Sequence, residues 1–180
     1  HGSGSSRHSP RNNYVAGELA RRGIGTLLFD LLTAEEDIAY RTRFDIDLLT
    51  RRLLRATDWL RTAGRAGARP LGYFGASTGA AAALQAAAAQ GSAIKALVSR
   101  GGRPDLAGEA ALAAVTAPTL LIVGSHDHVV LDLNRKAARA MTCTNELKVI
   151  PGATHLFEEP GTLEQAAAAA CDWFATYLRP

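Results

Sequence analysis

Leu71-Gly72-Tyr73-Phe74-Gly75-Ala76-Ser77-Thr78-Gly79-Ala80 is the stretch on which the reading of this chain turns. Its first half is apolar and aromatic, the composition of a strand buried on both faces. Its second half runs into residues 80–89, rich in alanine and strong in helix propensity. Between them stands G-x-S-x-G. A strand, that pattern and a helix together are the context of a nucleophile elbow, in which a serine sits on a sharp, strained turn. Gly75 and Gly79 then serve to let strand and helix pass closely, because neither carries a Cβ.

Working outward, the chain alternates. Upstream, the spacing predicts a helix over residues 12–22 ending at Gly23, a short apolar strand over 24–29, a charged surface excursion over 33–44 and an amphipathic helix over 45–61. Downstream it predicts strands over 93–99, 118–124 and 146–150, and helices over 106–115, 132–141 and 162–178. Strands alternating with helices imply a parallel sheet covered on both faces, an α/β fold in one domain over 1–180. In such a sheet functional groups collect on the loops at the carboxyl ends of strands.

Three of those loops carry complementary chemistry. Ser77 follows one strand. Asp127 lies in Gly124-Ser125-His126-Asp127 after the 118–124 run, and His155 in Gly152-Ala153-Thr154-His155 after the last. A serine hydroxyl needs a base to take its proton, histidine titrates in the right range, and a carboxylate fixes the imidazole tautomer. Asp132 is a rival acid, but its place inside a helix points it away from a strand end. His126 and His128 flank Asp127, yet positions i and i+2 without a third clustered ligand make a poor metal site, so no metal and no cofactor is expected. Glu35, Glu36 and Asp37 read as solvated charges, and Trp59 as a packing residue. The opening His1-Gly2-Ser3-Gly4 reads either as an anion-holding loop or as a flexible terminus.

Composition bounds the rest. The 180 residues carry a net charge of +3, with 17 Arg scattered among only 3 Lys and no dense basic run, so nucleic acid is not the expected partner. No apolar run is long enough to span a membrane as a helix. The two cysteines, Cys143 and Cys171, have no spacing that argues for a bridge, and free thiols in the cytoplasm are the expectation. The chain has no initiator Met, and natural sequence upstream of His1 is expected.

On His1-Gly2, the Gly75–Gly79 elbow, Gly124-x-x-Asp127 and Gly152-x-x-His155, the chain resembles the α/β-hydrolases, in their dienelactone hydrolase-like branch. The resemblance implies a three-layer sandwich with a mostly parallel central sheet, lacking the N-terminal strands of the usual fold. It also implies that the His-Gly loop follows the sheet's third strand, and that the backbone N–H groups of Thr78 and Ser3 form an oxyanion hole. Dienelactone hydrolases proper use a cysteine nucleophile, so Ser77 implies ester hydrolysis more generally, on small ester or lactone substrates. Only 18 residues separate Ser99 from Pro118, too few for a cap domain. In the family's order the third strand lies between 24–29 and 71–74, so a gap is expected there. Arg100 and Arg103, on a loop made pliable by Gly101-Gly102, read either as holding a substrate carboxylate or as pairing with Asp105 or a nearby helix end and only shaping the loop.

Overall fold

The structure, a computed structural model, describes residues 1–64 and 66–179. Four strands, β1 (Leu71–Ala76), β2 (Ile94–Arg100), β3 (Thr119–Gly124) and β4 (Asn145–Ile150), pair in sequence order, and every pair is parallel. Seven α-helices accompany them: α1 (Pro10–Arg21), α2 (Ala34–Ile38), α3 (Ile46–Thr62), α4 (Thr78–Gln90), α5 (Glu109–Ala114), α6 (His128–Ala140) and α7 (Thr162–Tyr177). Right-handed crossovers that step in one direction put their helices on one face of a sheet. Accordingly α3, α4 and α5 share one core with Tyr73, Ile94 and Leu97. The opposite face, through Ala96, Val98, Leu120 and Ile122, packs on α1 and α7.

The central strands show why the middle of the sequence is so apolar. All of β3 is buried, and so is β2 apart from Lys95, while edge strand β4 alternates with exposed residues. Helix α4 is buried on nearly every side, and its Ala80, Ala81 and Ala82 are wholly inaccessible. Small side chains are what let a helix lie between the sheet and α3 at close range. Gly72 plays the same part on the other face, where a Cβ would come within 2.7 Å of the Phe174 ring.

Several expectations are corrected. Residues 24–29 form no strand, so four strands are present among the described residues instead of five. A strand exists only through a ladder partner. Here a groove of about 860 Å³, lined by Leu27, Leu28, Tyr73 and Phe74, separates this segment from β1. The gap expected between them is therefore present, and β1 is an edge. The 33–44 excursion is ordered: Thr33 and Glu36 form a capping box that starts α2, and a 3-10 helix, Tyr40–Phe44, follows. The helix expected over 106–115 is broken at Gly108, whose φ of +85° suits no other residue, into a 3-10 turn and α5. Helix α6 starts four residues earlier than the periodicity suggests, directly after Asp127. Both cysteines are free.

Candidate active site

Ser77 closes the turn between β1 and α4 with φ 50° and ψ −121°, a conformation that costs a non-glycine residue of order 1–3 kcal/mol. The surroundings hold it there. Its N–H donates to the Arg100 carbonyl (3.3 Å), and its own carbonyl accepts from Arg103 N–H (3.2 Å). The elbow leaves no room for side chains on its glycines: a Cβ on Gly75 would lie 2.5 Å from Ala80 Cα, and one on Gly79 2.2 Å from the His1 carbonyl oxygen.

That last contact settles the opening loop. His1-Gly2 is packed on the elbow, with a Cβ on Gly2 only 2.8 Å from Ser77 Cβ. The His1 ring ties the loop down. Nε2 accepts the Leu31 N–H (2.8 Å), so the neutral ring carries its proton on Nδ1, which donates to the Gly2 carbonyl (3.0 Å). Ser5 N–H returns to the Gly2 carbonyl (3.2 Å), closing a turn whose third residue, Gly4, has φ +66° as a type II turn requires. Ser3 is thus presented from a tight turn beside Ser77, and Thr78 opens α4 as its first residue.

The acid and the base are brought together by two loops that interlock. Ser125 N–H donates to the Ile150 carbonyl and His126 N–H to the Ala153 carbonyl, both at 2.9 Å, while Gly152 N–H donates to Ser125 Oγ (2.8 Å). Gly124 is required at this join, since a Cβ there would lie 2.2 Å from the Ala153 oxygen. The result is a 2.6 Å hydrogen bond between His155 Nδ1 and Asp127 Oδ2. A carboxylate only accepts, so the proton is on Nδ1 and the Nε2 lone pair is free. Across the sheet edge the His155 ring lies against Gly101, 3.5 Å from where a Cβ would stand, two residues along from Ser99, which pairs with Gly75. Ser77 Oγ makes no hydrogen bond among the described residues, which is common in an unliganded site.

Two supports were not singled out in the sequence. Glu159 accepts from both the Thr154 hydroxyl (2.6 Å) and the Thr154 N–H (3.0 Å), and these bonds hold its carboxyl below the usual range. Phe157, at φ +56°, is 2% exposed: burying its ring in the α1/α7 core offsets the strained backbone that turns His155 outward. A buried aromatic two residues after a loop histidine is the only trace of this in the sequence.

The remaining candidates lie elsewhere. Arg100 is 7% exposed, donates to Asn12 Oδ1 (3.0 Å) under α1 and lies 5.6 Å over the Phe74 ring. Burial, with a smaller contribution from Arg11, pushes its pKa down to about 10. Arg103 is forked on Asp105 at 2.8 and 2.7 Å. Asp132 pairs with Arg135 on the outer face of α6. Among the described residues no group of three or more His, Cys, Asp or Glu is placed to hold a metal ion, and no helix is long and apolar enough to cross a membrane.

A family model described as the dienelactone hydrolase family matches residues 30–179. The chain belongs to that family. Dienelactone hydrolase from Anabaena variabilis is 55% identical with a TM-score of 0.95, over 99% of this chain and 84% of that one. Est1E from Butyrivibrio proteoclasticus shares the fold at 17% identity, with a TM-score of 0.81 over 98% of this chain and 85% of its own. Two Mycobacterium tuberculosis sequences provisionally named phosphoribosyl transferase are 60% identical over 178 residues. This dienelactone hydrolase-family chain spans only 40% of their length. Its fold is the α/β-hydrolase fold, with no cap domain among the described residues.

Proposed function

We propose that this hydrolase cleaves small carboxylic esters or lactones through an acyl-enzyme, with Ser77 as nucleophile, His155 as base and Asp127 as the orienting acid. The observation that carries the reading is the 2.6 Å His155–Asp127 bond formed on the loops next to a serine held at φ 50°. Ser77 Oγ attacks the carbonyl carbon while its proton passes to His155 Nε2. The oxyanion that forms is held by the N–H groups of Thr78 and Ser3, each such donor being worth about 3 kcal/mol in systems where one has been removed. The tetrahedral species collapses, the C–O bond to the leaving group breaks, and the alkoxide takes the proton from Nε2. Water, deprotonated by the same nitrogen, then attacks the acyl carbon and releases Ser77. Asp127 keeps the ring in the tautomer that both steps need.

Other acyl transfers on the same residues, thioester or peptide cleavage among them, share every step except the leaving group. The transferase name of the mycobacterial relatives favours a second reading for the natural protein as a whole, since most of their length lies outside the region matched here. The two are separated by one experiment on the full-length protein. A fluorophosphonate probe that labels wild type and not Ser77→Ala, with p-nitrophenyl acetate turnover lost in the same variant, supports the esterase reading. Failure to label, together with consumption of phosphoribosyl diphosphate that Ser77→Ala leaves intact, overturns it.

A further inference from the structure

Seven large apolar side chains are exposed: Leu27, Leu28, Ile38, Tyr40, Trp59, Val129 and Leu156. Scattered singly they would mean nothing, but they fall into two groups. Leu27, Leu28 and Trp59 line the groove beside β1. The other four lie outside it, on three segments. Leu156 is next to His155, and Val129 follows Asp127 by two residues on the first turn of α6. Ile38 and Tyr40, at 81% and 72% exposure, are the most open apolar residues of the segment after the 24–29 run.

That segment meets the opening loop that packs on the elbow. Arg43, which pairs with Asp37, reaches within 3.5 Å of the place of a Cβ on Gly4, in the same turn that packs Gly2 on Ser77. Arg103, whose N–H bonds the Ser77 carbonyl, has Tyr40 among the groups that raise its pKa, after its main partner Asp105. Tyr40 also lies 4.9 Å, centroid to centroid, from the Phe44 ring, which fixes its plane. Tyr40 and Arg43 stand three apart in one 3-10 helix and so share a face, which puts this solvent-facing ring on the side of the segment that meets the opening loop.

We propose that residues 33–44 form a substrate-recognition rim, in which Tyr40, flanked by Ile38, stacks an aromatic group of the ester, and that the enzyme prefers aryl-bearing esters to small alkyl ones. This rests on the esterase reading above. Arg43, paired with Asp37, braces the rim from within, whereas Arg103 is occupied by Asp105.

The test uses the full-length protein and two ratios of kcat/KM: benzyl acetate over ethyl acetate, with the ring on the leaving group, and methyl phenylacetate over methyl acetate, with the ring on the acyl group. Wild type shows at least one ratio well above one. Tyr40→Ala lowers that ratio roughly five- to tenfold, the range of an aromatic pair, while Tyr40→Phe keeps it. Fluorophosphonate labelling of Ser77 is measured on each variant. If both ratios are unchanged in a Tyr40→Ala protein that still labels, the rim proposal is overturned and the esterase reading stands. If wild type itself does not label, both fall.

Discussion

Replacing Gly79 by Ala isolates what the opening loop does for catalysis. Gly79 is the second residue of α4, where alanine is by itself the better helix former by up to about 1 kcal/mol. Its new Cβ, however, would stand 2.2 Å from the His1 oxygen and 2.9 Å from the His1 carbon. Restoring ordinary contact, about 3.2 Å, requires the loop to move by about 1 Å. The loop cannot slide freely, because the His1 ring is bonded to Leu31 N–H at 2.8 Å and Gly2 is itself against Ser77. The Ser3 N–H is therefore displaced from the elbow. A 1 Å misplacement or the loss of one oxyanion donor each costs roughly 10²-fold or more. Gly79→Ala should lower kcat/KM on p-nitrophenyl acetate by about 10²- to 10³-fold. Its Tm should fall by only about 2–8 °C, since helix propensity offsets part of the clash. Steady-state kinetics and a melting curve on one preparation decide it. Activity within threefold of wild type in a folded variant would refute the reasoning, because the loop would then have no positional role.

Three further outcomes follow from the geometry. Tyr73 donates to Thr57 Oγ1 (2.8 Å), which in turn donates to the Leu53 carbonyl (2.9 Å), all in the core. Tyr73→Phe strands no group and should cost about 1 kcal/mol in urea unfolding, whereas Thr57→Val orphans a buried hydroxyl and should cost about 1–3 kcal/mol. Glu36, held below the usual carboxylate range by its Arg52 bonds, ties the 33–44 rim to α3. A depressed carboxylate stabilises above its unfolded pKa and loses that contribution as pH falls through its folded one. The rim should therefore loosen below about pH 4.5, and Glu36→Gln should loosen it at neutral pH, read as faster proteolysis within 33–44. Arg100→Met removes a buried cation that has no carboxylate partner, so the Tm should hold or rise, and the preference between carboxylated and neutral esters should not change.

Much of the site was legible because its residues are defined by local rules. A serine in G-x-S-x-G between an apolar run and an alanine-rich helix can adopt only a few backbone paths. The glycine at 124 likewise marks a place where two segments must touch, and the one at 152 a turn with positive φ. Chain order then put Ser77, Asp127 and His155 after β1, β3 and β4, and the alternation of periods pointed to the parallel sheet. The lateral pairings were beyond local reading. Residues 24–29 have the composition of a strand, but a ladder needs a neighbour, and only the three-dimensional arrangement shows a groove where β1's partner would be. Arg100 and Arg103 looked alike on one pliable loop, yet a strand residue's direction is set by the pleat, which sends Arg100 under α1 and leaves Arg103 to Asp105. The rim at 33–44 read as loose charge because its order depends on Arg52, which reaches Glu36 of the capping box across 16 positions. Sequence by itself determined which residues can do chemistry and where the backbone must bend. Tertiary structure decided which of them face one another, because burial and pairing depend on neighbours that are distant along the chain.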